Sequence, residues 1–147
     1  MAIWNLGSIN ADLVYNVPHI PAPGETLSST GRTTFMGGKG ANISVAIARA
    51  GSRINHIGAL GPDGGWALQR LMEYGVDTRH IAQIETATGH AIIMVDTQGE
   101  NAILLHAGSN GEVPQTALQT ALSEAARHWA EHRFSARAEA DGIEAVY

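Results

Sequence analysis

The segment FMGGKGANISVAIARAG, Phe35–Gly51, sets three glycines and a lysine in four positions and then becomes almost wholly apolar. Ala41–Ala50 carries apolar residues at 41, 43, 45–48 and 50, a pattern apolar nearly all round that predicts a buried helix. Gly51 suits the position just past its end. Arg53–Leu60 (RINHIGAL) then reads as a strand, and Ala2–Leu6 as an earlier one closed by Gly7-Ser8. Strand, glycine turn, helix, strand is the order of a βαβ unit, so the expected class is α/β with a mainly parallel sheet.

Other segments extend this frame. Asp12–Val17 is a second short extended piece. Pro18, Pro21 and Pro23-Gly24 force an irregular loop, because proline fixes φ and glycine frees it. Glu25–Phe35 is rich in Thr and Ser and suits exposed strands. Trp66–Tyr74 predicts an amphipathic helix with Leu68, Leu71 and Met72 on one side. His90–Asp96 and Asn101–His106 are apolar runs joined by a glycine-containing turn, a hairpin pattern. Pro114 suits a helix start, and Leu118, Leu122, Ala125 and Trp129 repeat as one helical stripe. Beyond Ala126 the chain is dense in Ala, Arg, Glu and His, and only Gly142–Tyr147 is weakly strand-like.

Composition narrows the chemistry. The absence of cysteine excludes disulfides, thiolate catalysis and Cys–zinc sites. A net charge of −5 argues against a broad nucleic-acid surface. No apolar run reaches membrane-spanning length, and AIWNLGSIN lacks the basic start and long apolar stretch of a signal peptide. The expectation is a soluble, cytoplasmic protein that meets neither nucleic acid nor membrane.

The glycine loop fails both common nucleotide fingerprints. Lys39 is followed by Gly40 where a Walker A loop needs Ser or Thr, and position 43 is Ile where G-x-G-x-x-G needs glycine. A glycine loop running into a helix start still leaves backbone N–H groups free at a positive dipole end. Such a site can take hydroxyls, carboxylates or phosphate. The plainer alternative is a tight turn needed only for packing. Its surroundings favour a site: Asn10 and Asp12 are expected just past a strand end, and Asn42 in the first helical turn. A carboxylate, two amides and a lysine suit a polyol.

The ordered segments GSINADLV, PAPGET, GGKGAN with ISVAIARAG, IGALGPDGGW, GVDT, TGHAIIMVD and GENAILLHAGSN resemble the N-terminal half of ribokinase and the PfkB-type sugar kinases. The resemblance runs from about Ile3 to about Ala125. It implies a ribokinase-like three-layer α/β/α fold, of which residues 1–126 are the N-terminal part, with a projecting β-sheet lid. It also implies ATP-dependent phosphorylation of the hydroxymethyl group of ribose or a related sugar. The implied sugar contacts are Asn10 and Asp12 to hydroxyls, Gly37, Gly38 and Asn42 to further hydroxyls, and Lys39 toward the transferred phosphate. Lid strands would come from residues near 12–17, 25–35, 90–96 and 101–106, with Ala91 and Ile93 covering the sugar. Excluding water matters because water would compete for the phosphoryl group. A homodimer through lid strands, or association through an open sheet edge, is a further implication.

The family's second half carries the ATP pocket with its magnesium, and a D-T-x-G-A-G-D motif that supplies the catalytic base. Asp96-Thr97-Gln98-Gly99 begins like that motif, but Glu100, Asn101 and Ala102 do not continue it. No residue here is therefore assigned as catalytic base or ATP anchor, and these 147 residues alone are expected to be inactive. The alternative function is a non-catalytic, truncated module that binds sugar or self-associates. Residues 127–147 are expected to form a divergent helical or irregular tail. Within them His128, Glu131 and His132 form H-x-x-E-H, a spacing that can hold zinc on a helix. A third ligand is not evident, so a solvated helix end is the preferred reading and no metal site is assigned.

Overall fold

The computed structural model describes residues 2–140, with side chains through His132. Among the described residues, seven strands form two sheets, accompanied by three α-helices. Strands β1 (Ile3–Leu6), β4 (Ile54–Leu60) and β5 (Asp77–Gln83) make a parallel sheet in the order β1-β4-β5. Strands β2 (Asn10–Asn16), β3 (Gly31–Gly37), β6 (His90–Val95) and β7 (Asn101–His106) make a second sheet in the order β3-β2-β6-β7. Its hairpin partners are antiparallel, while β2 and β6 run parallel.

Helix α1 (Lys39–Arg49) packs on β1 and β4, α2 (Gly65–Glu73) on β5, and α3 (Gln115–Ala140) on β4 and β5. All seven residues of β4 are buried, so both faces of the central strand are covered. His56 bonds to Ser44 of α1, whereas Ser109 bonds to the carbonyl of Ala59. The apolar core joins Ile9, Ala41, Ile54, Leu60, Ala67, Leu71, Val76 and Ile81. This is an α/β fold, as the βαβ pattern predicts.

Several boundaries differ from expectation, each for a physical reason. The second extended piece starts at Asn10, two residues early, because Asn10 and Ala11 already pair with Gly37 and Met36. Asn10 thus joins Asp12 within a strand of the second sheet, a few residues past the end of β1. Of Glu25–Phe35, only the part from Gly31 onward is strand, since pairing with β2 begins at Gly31–Asn16. Glu25 instead closes its own loop, accepting from the Ala22 N–H at 2.9 Å and standing 2.8 Å from His19.

Strand β5 is absent from the sequence pattern. DTRHIAQ has little apolar alternation, and it becomes strand because β4 offers an open edge on that side. Its His80 is buried, with its ring 5.1 Å from that of Trp4 and Nε2 3.1 Å from Glu124 of α3. Helix α3 opens just after Pro114 and runs unbroken across residue 126. Its inward face is centred on Ala121, fully buried, while Leu122 and Trp129 are exposed. Leu118 and Ala125 of the apolar stripe are half-buried, so the stripe marks the buried face only in part. No helix among the described residues is long and apolar enough to cross a membrane. The weakly strand-like Gly142–Tyr147 lies outside the described residues.

Candidate functional site

The two sheets meet where the chain leaves β1 through Gly7-Ser8-Ile9 and enters β2. The glycine loop between β3 and α1 crosses the same point. A Cβ on Gly40 would sit 2.5 Å from the Gly7 Cα, so the backbones touch and neither position admits a side chain. Gly38 has φ +92°, and a Cβ there would also meet the Ser8 carbonyl at 2.5 Å. Only glycine satisfies both demands. The Ala41 N–H donates to the Ser8 carbonyl at 3.0 Å, tying the helix start to the β1–β2 turn. Helix α1 begins without a side-chain cap at Gly38. With the Ala41 and Asn42 N–H groups already bonded, to the Ser8 and Gly38 carbonyls, the Lys39 and Gly40 N–H groups are the ones left at the positive end of the helix.

Asp12 stands over this loop. The register pairs it with Phe35 on one side and Ala91 on the other. Its carboxylate occupies the space that any side chain on Gly37 would fill. Burial pushes the Asp12 carboxyl above the usual carboxylate range, since the charged form loses water. Because side chains alternate along a strand, Asn10, Asp12, Gly37, Ala91 and Ile93 share one face of the second sheet. Ala91 is buried and Ile93 half-buried. Lys39 and Asn42, three residues apart, project together from the first turn of α1, and both are exposed.

Asn10 is held by a residue that sequence reasoning missed. Asn110 follows β7 in a short 3₁₀ turn, Gly108–Gly111. The Ile9 N–H donates to Asn110 Oδ1 at 2.8 Å, and Asn110 Nδ2 donates to the Ile9 carbonyl at 3.2 Å. Both backbone partners have fixed roles, so the Asn110 amide has one orientation. Its Nδ2 also donates to Asn10 Oδ1 at 2.8 Å. That contact occupies the Asn10 oxygen and leaves its NH2 to donate elsewhere. Gly89 is required alongside, because a Cβ there would collide with Asn110 Nδ2 and lie 2.9 Å from Asn10 Oδ1. The signal available in sequence was the GSN triplet ending GENAILLHAGSN, without any hint of its distant partner.

The result is a cluster, here called the cup, of a carboxylate acceptor, an amide donor, the helix-start N–H groups of Lys39 and Gly40, and a nearby lysine. Cavities of the molecule are lined by other residues. One of about 540 Å³ runs between Arg79 and α3. Another of about 310 Å³ lies between Tyr15, Ile92, Met94 and the proline loop, on the opposite face of the second sheet from Asp12. Among the described residues, no three His, Asp or Glu side chains group together to hold a metal ion. His128 and His132 do pack ring to ring on α3, 6.0 Å apart.

Residues 3–136 match the family model of the pfkB family carbohydrate kinases. The chain belongs to that family. Within it, a ribokinase of Haemophilus influenzae is 38% identical over 125 residues, covering 83% of this chain and 41% of that protein. The ribokinase of Cryptococcus neoformans, solved with ADP, superposes with a TM-score of 0.70 at 45% identity, covering 74% of this chain and 35% of that one. The Arabidopsis thaliana ribokinase solved with ribose and ATP gives a TM-score of 0.68 at 32% identity, covering 75% of this chain and 38% of that one. This PfkB-family chain thus spans about 40% of the length of the curated relatives it matches. Its fold is ribokinase-like, and its lineage is that of the sugar kinases.

Proposed function

We propose that the cup formed by Asn10, Asp12, Gly37, Gly38, Lys39 and Asn42 binds a sugar, and that the chain is the sugar-binding portion of a ribokinase-type kinase. The observation that carries this is the Asp12 carboxylate set directly over Gly37, beside the uncapped start of α1. Asp12 accepts from sugar hydroxyls, and the Asn10 NH2, freed by Asn110, donates to one. The backbone N–H groups at the loop donate to others. The relative solved with ribose and ATP supports a pentose as ligand.

The reaction proposed is ATP-dependent phosphorylation of the sugar hydroxymethyl group. ATP with magnesium supplies the phosphoryl group when bound. The groups on this chain suited to it are the Lys39 ammonium and the positive start of α1, which fit the transferred phosphate alone. We assign no catalytic base within these residues and propose no turnover for them by themselves. The second sheet serves as a lid: Ala91 and Ile93 lie on the Asp12 face, positioned to keep water from the sugar. The same face carries exposed Phe35, Ile103 and Leu105, which favours a homodimer built through the lid strands. A cytoplasmic setting suits a small sugar and ATP.

Calorimetry with ribose tests the proposal. Binding by the wild-type chain that disappears in Asp12→Ala is the expected result. Absence of binding to ribose and related pentoses would remove the sugar assignment. ATP consumption with ribose and magnesium above a no-protein control would overturn the non-catalytic view of this chain.

A further inference from the structure

Beneath the cup, three side chains link two backbone carbonyls in a chain of hydrogen bonds that the sugar contacts do not use. Asn5 of β1 donates from Nδ2 to the Gly40 carbonyl at 2.8 Å and to Ser44 Oγ at 2.9 Å. Ser44 Oγ lies 2.7 Å from His56 Nδ1, and His56 Nε2 lies 3.1 Å from the Gly7 carbonyl. Ser44 and His56 are fully buried.

The direction of every bond follows from its ends. A carbonyl only accepts, so the Gly40 contact fixes the Asn5 amide with its nitrogen toward Ser44. Ser44 therefore accepts from Asn5; the Gly7 carbonyl likewise only accepts, so His56 Nε2 carries a proton, and in the neutral ring Nδ1 takes the Ser44 hydroxyl proton. Neutral His56 is thereby held in a single tautomer. Burial, partly offset by the Gly7 carbonyl, pushes its pKa below the usual histidine value, in agreement with this assignment.

The two carbonyls at the ends of this chain belong to Gly7 and Gly40, the residues whose backbones touch under the cup. One bond grips each side of the crossing, and the two grips meet at Ser44. We infer that Asn5, Ser44 and His56 are positioning residues for the sugar cup, with neutral His56 clamping Gly7 against Gly40 so that the loop under Asp12 keeps its shape. None of the three touches the proposed sugar. The inference rests on the sugar reading only for its consequence. The clamp itself is testable without ligand.

The test has two arms on the whole chain. In the first, ¹⁵N NMR of histidine-labelled protein reports the His56 tautomer, and amide shifts of Gly7, Gly38 and Gly40 report the loop. The expected result is an Nε2–H tautomer in wild type and shifted loop amides in His56→Phe. His56→Gln, whose Nε2 can donate to the same carbonyl, should restore the wild-type amide positions. An Nδ1–H tautomer, or loop amides unmoved in a folded His56→Phe, overturns the clamp. In the second arm, ribose affinity should fall about tenfold in Ser44→Ala and His56→Phe, the equivalent of one hydrogen bond. His56→Gln should stay close to wild type. Equal affinity in all variants overturns the positioning role, while failure of the wild type itself to bind overturns the sugar reading and leaves the first arm to decide the clamp.

Discussion

Asp12 is the residue where function and stability oppose each other. Its carboxyl titrates above the ordinary value because burial disfavours the charge. A carboxyl raised in the folded state contributes stability below its unfolded pKa and loses that contribution as pH rises through the folded value. At neutral pH its charge therefore works against folding. Asp12→Asn should raise the melting temperature at pH 7 by about 3 °C. The advantage should vanish below about pH 4, where the wild-type carboxyl is protonated as well. The same variant should lose ribose binding. Thermal melts at the two pH values check the first statement and calorimetry the second. Asn110 makes a different prediction: Asn110→Ala leaves the Ile9 N–H and carbonyl and the Asn10 oxygen without their partner. Stability should fall by about 2 kcal/mol in urea unfolding. Ribose affinity should drop with it, because Asn10 is then free to turn.

At the scale of elements, glycine positions separate into two kinds that look alike in sequence. Gly40 opens α1 against the Gly7 backbone, so Gly40→Ala has no space to occupy and should destabilise by about 3 kcal/mol or prevent folding. Gly65 opens α2, and a methyl group placed there would meet nothing within 4 Å, so Gly65→Ala should stabilise by about 0.5 kcal/mol. Denaturant midpoints of the pair decide it. The contrast also shows what the sequence makes legible. The glycine loop, α1, β4 and the β6–β7 hairpin are local patterns, and each is visible as a run of residues. So are Asn10 and Asp12, because GSINAD places them close to a strand. Strand β5 was hidden, since its burial depends on Trp4 and Glu124 rather than on its own alternation. The inward face of α3 was legible only in part, because Ala121 rather than the larger Leu122 meets the sheet. Asn110 and His56 could not be singled out by spacing, as their meaning lies in partners 101 and 49 residues away.

At the scale of the molecule, the second sheet leaves Phe35, Ile103 and Leu105 exposed on the face that also carries Asp12. If that face joins two copies, light scattering should give a dimer mass for the wild type and a monomer for Ile103→Lys/Leu105→Lys. A monomeric wild type at high concentration would remove the dimer. The architecture has a further consequence, one of timing. Strand β2 pairs with β6 some 80 residues later, and Ile9 takes both of its backbone partners from Asn110. Contacts between such remote positions form slowly, because a long stretch of chain must be brought round first. During synthesis, the earliest residues of the cup therefore wait for residue 110 to emerge from the ribosome. Until then, the region that is made first is among the last to become native.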